Sequence, residues 1–260
     1  MKTRILLGAL FVSGTLSLRA DPLTQSTFTE VVKDVNVVAA ATKAAAPASV
    51  SEIVKAPDKV RTGPDSRAEL TAPDQTITRI GANTVFSFEP SGRNINLEQG
   101  NVLFHSPAGK GGGSIRSGGA AAAVLGTTLI VSSTGTGGFK VILLEGKGTV
   151  TLGNGHSVNL TAGQLVFVLP GQTGFGPVLE INLGKLVAGS TLVHGFSKSL
   201  PSLSLIQNAI NHQNHDLGKG KTDTGVPPEN FIQNPGNNGL NTVDPNSYHN
   251  TISTIKTRPG

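Results

Sequence analysis

The 260-residue chain has no cysteine, which excludes disulfides, thiolate metal ligands and acylation on a cysteine. It has no tryptophan and one tyrosine, so a platform of aromatic side chains for stacking on sugars is poorly supplied. Acidic residues number only 16, and no pair of them marks a hydrolytic cleft. The fold must therefore be stabilised by packing and hydrogen bonds.

The excess of basic residues is smaller than the pI of about 9.6 suggests. The formal net charge is +5, but Lys2, Arg4 and Arg19 lie in the first 20 residues, which hold no acid. The rest of the chain is left with +2. Its lysines and arginines are spread along the sequence without a dense run, which does not favour a nucleic acid partner.

Residues 1–20 have the pattern of a signal peptide: a basic start, an apolar run from Ile5 to Val12, and the small residue Ala20 at the expected cleavage point. The apolar run is shorter than the roughly 20 residues that a membrane span needs. The sequence therefore predicts export to the periplasm or the exterior, with no stable membrane span after cleavage. An uncleaved anchor is the alternative.

The remaining sequence predicts an all-β fold, a sandwich or roll of short, mostly antiparallel strands. Between residues 60 and 171 short β-branched segments alternate with turn residues, at a spacing typical of sandwiches and barrels. Gln99-Gly100 is interpreted as one such turn, and Asn154-Gly155 as a hairpin with a type I′ turn. Residues 21–59 are predicted to form one or two opening strands and, from Ala39 to Ala48, a loose connection.

Two strands carry apolar residues at successive positions, Val141 to Leu144 and Leu165 to Leu169. Such runs indicate strands covered on both faces, by a second sheet and by the segment after Pro170. Residues 172–217 are predicted to be a helical extension with one or two short helices. Pro201 suits a helix start and Gly218 a stop, whereas Gly184, Gly189 and Gly195 count against a regular helix before it. Residues 218–260 are predicted to be a flexible tail.

No motif in the chain specifies a cofactor, a metal or a catalytic residue. Lys110 lies inside a glycine run without the order that a phosphate-binding loop requires. His212 and His215 could lie on one helix face with Asp216 adjacent, as a weak metal site would require, but a solvated helix end is the better interpretation. A hydrolase on a β scaffold is an alternative hypothesis, and it requires several chemically able side chains to converge in one pocket: Glu89, Glu98, His105, Glu145 and His156.

Six short motifs occur in the order found in one envelope domain family. They are Val60, Thr62, Gly63, Ser66, Ala68 and Leu70; Arg79, Gly81 and Thr84; Leu97 and Gly100; Val124, Gly126 and Thr127; Glu145 and Gly146; and Leu160, Ala162, Gly163 and Gln164. In this order the chain resembles the FecR-type domain, named for the ferric-citrate uptake regulator. The resemblance runs from about Val60 to Gly171. It implies an all-β envelope domain whose motif residues are structural, with leucines and valines such as Leu70, Val124, Leu129 and Leu160 in the core.

The founding members of that family relay a signal from an outer-membrane transporter to a cytoplasmic sigma factor. This chain has no cytoplasmic segment before its apolar stretch, so the resemblance favours an exported orphan domain. We therefore expect a non-catalytic exported envelope domain for protein or ligand interaction, in signalling or surface assembly, with envelope or surface proteins as candidate partners. A membrane-associated regulator of sigma-factor signalling is the alternative. The sequence does not specify an oligomeric state.

Overall fold

The computed structural model describes residues 21–220; the predicted signal peptide and the predicted tail from residue 221 lie outside this range. The described residues are mainly strands followed by three helices. The strands are β1 (Gln25–Val32), β2 (Val35–Val38), β3 (Ala45–Pro47), β4 (Ile53–Lys55), β5 (Lys59–Thr62), β6 (Arg67–Thr71), β7 (Ile77–Ile80), β8 (Val85–Phe88), β9 (Asn94–Ser106), β10 (Gly113–Ser117), β11 (Ala120–Val124), β12 (Thr127–Ser133), β13 (Phe139–Glu145), β14 (Lys147–Leu152), β15 (Ser157–Thr161), β16 (Gln164–Val168) and β17 (Leu179–Glu180). The helices are α1 (Leu183–Gly189), α2 (Thr191–His194) and α3 (Leu203–Gly218).

The strands form two sheets that share β9. The inner sheet has the order β4-β1-β6-β7-β9-β12-β13-β16-β17. The outer sheet has the order β3-β2-β5-β8-β9-β10-β11-β14-β15. All of these pairings are antiparallel except the one between β9 and β10. The predicted all-β sandwich of mostly antiparallel strands is confirmed.

The predicted turn at Gln99-Gly100 is wrong, because both residues lie inside strand β9. The chain runs through this point as one strand, which pairs with β8 in the outer sheet up to Gln99 and with β12 in the inner sheet from Gly100 onward. Gly100 has a φ of 95°. A glycine with positive φ inside a strand bends it without ending it, so the same residue that signals a turn here transfers the strand between sheets.

The molecule has three layers: outer sheet, inner sheet and helices. One hydrophobic core lies between the sheets and contains Leu70, Val124, Leu129 and Leu160, as the motif residues predict. A second core joins the other face of the inner sheet to the helices and includes Leu103, Ile142, Leu183 and Ile206. Strands β12 and β13 are buried at every position. The prediction that continuous apolar strands are covered on both faces is therefore confirmed.

The helical layer is more regular than the sequence predicts. Residues 183–194 form α1 and α2 despite Gly184 and Gly189, and α3 has 16 residues. A Cβ at Gly184 would stand 3.4 Å from Ile210, which is ordinary van der Waals contact, so α1 packs against α3 at this position. Tertiary packing thus outweighs its low helix propensity. Helix α3 begins two residues after Pro201 and ends at Gly218, where the sequence predicts start and stop.

Two local predictions need correction. Asn154-Gly155 does connect the β14–β15 hairpin, but only Gly155 has positive φ, which excludes a type I′ turn. The Ala39–Ala48 connection contains β3, a short exposed edge strand that ends at Pro47. Proline is tolerated on an edge strand because its missing N–H faces solvent. Within residues 21–220 no helix has the length and apolar character needed to cross a membrane.

Candidate functional site at the turn end

Three of the sequence motifs meet at one end of the sandwich, which we call the turn end. It comprises the β11–β12 turn (125–126), Gly146 between β13 and β14, and the β15–β16 turn (162–163). The Thr127 hydroxyl donates to the Lys147 carbonyl at 2.9 Å, which ties the first turn to the second. The backbone N–H of Gly163 donates to the Leu143 carbonyl at 2.9 Å, which ties the third turn to β13.

A buried polar cluster lies under the helical layer at this end, centred on Thr128. The Thr128 Oγ1 atom is 2.9 Å from Nδ1 of His105, 2.7 Å from Oε1 of Glu145 and 2.8 Å from Oγ of Ser202. His105 and Glu145 are each 6% exposed, and Thr128 and Ser202 are still less exposed. Ser202 immediately precedes α3, so the cluster joins the start of this helix to the inner sheet.

The backbone places Glu145 in this cluster through an irregularity in the β12–β13 pairing. Thr128 faces Glu145 and Leu129 faces Leu143, so Leu144 is an extra residue on β13. Such a bulge changes the alternation of side chains, and it brings Glu145 to the helix side together with Leu144. A regular strand would direct Glu145, like Leu143, into the core between the sheets.

One threonine hydroxyl can serve all three neighbours of the cluster. It has one proton to donate and two lone pairs, so with Glu145 ionised it donates to the carboxylate and accepts from the Ser202 hydroxyl and from Nδ1–H of neutral His105. Burial raises the pKa of Glu145, and the hydrogen bonds from Thr128 partly offset this increase. Burial lowers the pKa of His105. The site therefore disfavours the charged form of both side chains.

A groove opens on the solvent side of Glu145, between the turn end and α3. We call it the Glu145 groove. Its lining is formed by the two turns, β17 and the outer side of α3: Glu145, Gly146, Lys147, Thr161, Ala162, Glu180, Leu205, Asn208, Ala209, His212, Gln213 and Asp216. Lys147 and Thr161 also line a second groove, on the outer sheet beside the exposed Leu125. The two grooves therefore form one continuous surface.

Residues of the β15–β16 turn contact two residues that line this groove, Glu180 and Gln213. Gln164 accepts a hydrogen bond from the backbone N–H of Thr161 at 2.9 Å and donates to Glu180 at 2.6 Å. Gly163 has a φ of 85°, and a Cβ here would stand 2.5 Å from Nε2 of Gln213. Gln213 in turn donates to the Ile181 carbonyl at 2.8 Å. The glycine and glutamine of this motif thus position α3 and Glu180.

A second buried polar site fixes the helical layer farther along the inner sheet. Arg79 on β7 is fully buried, and its Nε donates to Glu69 of β6 at 2.8 Å. Its Nη1 donates to the Leu192 and Val193 carbonyls at the end of α2, and its Nη2 donates to the Lys198 carbonyl. The guanidinium also lies over the Phe196 ring, 4.4 Å from the centroid. Arg79 therefore connects the inner sheet to residues 192–198.

Comparison with known families agrees with the order of motifs. Residues 58–148 match the model of the family described as FecR protein. These residues form a FecR-type domain. The match ends just after the Glu145-Gly146 motif, so the β15–β16 turn, β16 and the helical layer lie beyond it.

Two solved structures align with part of this chain at low identity. Two crystal structures of a protein described as a "putative anti-sigma factor" from Parabacteroides distasonis ATCC 8503 align with this chain. The structure at 1.65 Å resolution is 17% identical and covers 58% of this chain and 74% of its own, with a TM-score of 0.43. The one at 2.50 Å is 15% identical and covers 62% and 91%, with a TM-score of 0.43. The comparison with curated proteins gives no match.

Of the five side chains that the hydrolase hypothesis requires, the structure joins two. His105 and Glu145 meet through Thr128, at the edge of the FecR-type domain. Glu98 forms a salt bridge with Lys59 and lies seven residues from His105 along β9, roughly 23 Å of strand. Glu89 accepts a hydrogen bond from Asn94 near the start of that strand. His156 belongs to the β14–β15 hairpin loop, at the other end of β14 from Glu145.

The remaining sequence candidates are dispersed. His212 and Asp216 line the Glu145 groove, and His215 lies 3.5 Å from its neighbour Asp216. No group of three metal-binding side chains occurs among residues 21–220. Lys110 lies in the loop between β9 and β10.

Sequence reasoning missed Arg79, Thr128 and Ser202 as site residues. One signal was available for Arg79: it is the only basic residue in β7, and a hairpin centred between β6 and β7 places it opposite Glu69. No comparable signal exists for Thr128 and Ser202, because they are 74 residues apart in the chain.

Proposed function

We propose that this chain is an exported, non-catalytic interaction module of the cell envelope that acts in signal regulation. The observation that carries the proposal is the FecR-type domain at residues 58–148, preceded by a segment with the pattern of a signal peptide. The resemblance links such domains to signal relay across the envelope. The helical layer and the turn end then supply this chain's own interaction surface.

Two structural features favour binding over catalysis. The His105–Glu145 pair is buried under α3 and has its hydrogen bonds within the fold, which suits a structural cluster better than an exposed acid and base. The turn end instead offers an open surface with two exposed leucines, Leu125 at 69% and Leu205 at 51%. Exposed apolar side chains next to polar groups are common in protein-binding surfaces.

Export is tested by fractionating cells that express the full chain and sequencing the N-terminus of the recovered protein. We expect a cleaved protein that begins near Asp21 in the periplasm or the medium. The alternative of a membrane-associated sigma-factor regulator predicts the full-length mass in the membrane fraction. A full-length protein in the cytoplasm would contradict both.

The interaction is tested by photo-crosslinking in intact cells. A crosslinking amino acid at Leu125 or Leu205 should capture a defined envelope protein, identified by mass spectrometry, whereas one at Lys55 on the opposite edge of the inner sheet should not. Deletion of the gene should also change the activity of a sigma-factor-dependent reporter. A normal reporter response together with no position-specific crosslink would contradict the proposed function.

A further inference from the structure

The residues that directly follow the predicted cleavage point are held in the fold. They are residues 21–24, which precede β1. Leu23 is 2% exposed and belongs to the core between the sheets, and its backbone N–H donates to the Gly92 carbonyl at 2.8 Å. The Thr24 carbonyl accepts a hydrogen bond from the N–H of Ala56 at 2.8 Å. This segment is therefore a packed part of the domain.

Arg93 fastens the beginning of this segment. Its Nη1 donates to the Asp21 carbonyl at 2.8 Å, and its Nε donates to the Gly112 carbonyl at 2.7 Å. Its Nη2 donates to Oδ2 of Asp74 at 2.5 Å and to Oγ1 of Thr76 at 3.0 Å. A guanidinium presents its donors in a rigid, planar fork, so two bonded nitrogens fix the direction of the third. We call this arrangement the Arg93 clamp.

The clamp lies directly beside the bond at which cleavage is predicted, between Ala20 and Asp21. A peptidase binds its substrate as an extended segment that reaches to both sides of the bond it cuts. In the folded chain the segment on the Asp21 side is held by Arg93 and continues into the buried Leu23. Cleavage of a folded chain therefore requires a local opening that breaks the clamp and removes this leucine from the core.

We propose that the Ala20–Asp21 bond is a processing site that a peptidase can cut only before the domain folds, and that the Arg93 clamp closes it. The step is hydrolysis: water adds across the amide bond and leaves a carboxylate on Ala20 and a free amine on Asp21. This inference rests on the proposed function, because it presumes export with cleavage. A chain that folded first would keep its apolar run, so the order of folding and cleavage decides between the exported form and the uncleaved anchor.

The test uses the full chain in detergent, with residues 17–20 replaced by the factor Xa recognition sequence, so that this protease cuts directly before Asp21. The folded chain should be cut about a hundredfold more slowly than a free peptide of the same sequence, because opening must expose Leu23 and break hydrogen bonds. Arg93→Met should speed cleavage of the folded chain about tenfold, the size expected for loss of a charged hydrogen bond. Leu23→Ala should do so at least as strongly, because less apolar burial then holds the segment closed.

The matched control is Arg116→Met, which removes an exposed arginine 3.7 Å from Glu89 and should leave the cleavage rate unchanged. Cooperative unfolding in urea confirms that each variant folds, and Leu23→Ala provides the test if Arg93→Met does not. The inference is overturned if the folded chain is cut as fast as the peptide, or if the variants at Arg93 and Leu23 leave its rate unchanged. The proposed function would survive either result if the cleaved protein and the crosslinks at Leu125 were still found in cells.

Discussion

Single residues of the inner sheet show two ways of holding a buried carboxylate. Glu69 has the Arg79 guanidinium at 2.8 Å and the Thr29 hydroxyl at 2.7 Å. Glu145 has the Thr128 hydroxyl and no cation within hydrogen-bond distance among the described residues. The first arrangement compensates the charge inside the fold. The second leaves the ionised form poorly compensated, and this makes the stability of the protein dependent on pH.

Glu145→Gln should change how stability depends on pH. Because the pKa of Glu145 is raised in the folded state, its contribution is fully present below the ordinary value of 4.5 and is lost as pH rises through the folded pKa. Relative to the variant, the wild-type free energy of unfolding should fall as pH rises from the ordinary value of 4.5 through the raised folded pKa. Urea unfolding at a series of pH values measures this difference, and a constant difference would contradict it. Glu98→Gln is the control.

Lys140 gives a second pH effect of opposite sign. It is 8% exposed on β13, and burial lowers its pKa from 10.5 to about 8. The unfolded chain therefore holds the proton more tightly, and stability should rise between pH 8 and 10.5 relative to Lys140→Met. The shift corresponds to about 3 kcal/mol. Unfolding curves of both proteins across this range provide the test, and parallel pH profiles would show the lysine to be unperturbed.

Replacing Arg79 should be among the most destabilising single changes. Arg79→Met leaves Glu69 buried without its cation and removes the hydrogen bonds to the Leu192, Val193 and Lys198 carbonyls. Breaking a buried pair by removing one partner costs about 3–5 kcal/mol. Arg116→Met is the matched control, because Arg116 is exposed and lies 3.7 Å from Glu89; it should cost less than about 1 kcal/mol. Similar losses in both variants would refute the role assigned to Arg79.

At the scale of elements, the passage of β9 from the outer sheet to the inner sheet depends on a single glycine, Gly100. Gly100 has a φ of 95°, and a Cβ there would stand 2.5 Å from Cα of Thr84. Thr84 in turn accepts a hydrogen bond from the N–H of Asn101 and donates its own N–H to Thr62. Thr62, Thr84 and Gly100, which belong to three different sequence motifs, therefore lie together where the strand passes from one sheet to the other.

Gly100→Ala should destabilise the protein by about 2–5 kcal/mol, since backbone strain and a steric clash add. Gly155→Ala separates the two effects. Gly155 has a similar φ of 86°, but a Cβ there would meet nothing within 4 Å. That variant should lose only the strain, about 1–2 kcal/mol. Chemical denaturation of both variants gives the comparison, and equal losses would show that the contact with Thr84 does not matter.

Particular strands and residues show why part of the fold could be predicted from the sequence and part could not. The apolar runs of β13 and β16 predict strands covered on both faces, because burial leaves a local pattern. The turn predicted at Gly100 is wrong, because a glycine gives the same local signal in the sequence whether its positive φ serves a turn or a bent strand. His105 and Glu145 were named as candidates, but the cluster that joins them depends on Thr128 and Ser202, whose contact is set by the packing of distant elements.

At the scale of the whole molecule, the two hydrophobic cores share only the inner sheet. The core between the sheets contains no residue of the helices, whereas the second core consists of inner-sheet residues and the helical layer. The helices are held by the Arg79 site, by the Thr128 cluster and by a hydrogen bond from Ser197 to Glu30. We therefore expect the helical layer to open without exposing the first core, as a separate unit of local unfolding.

Phe196→Ala should loosen this layer selectively. The ring lies over Arg79 and faces Arg67 at 5.8 Å, and it is 9% exposed. Its truncation should cost about 3 kcal/mol. In native-state hydrogen exchange, amides of α1 and α3 should lose protection, while those of β10, β11 and β14 keep theirs, because these strands pack on the core that has no helical residues. Leu205→Ala, at a half-exposed position of α3, should change neither set. An equal loss of protection in both layers would mean that the three layers unfold as one unit.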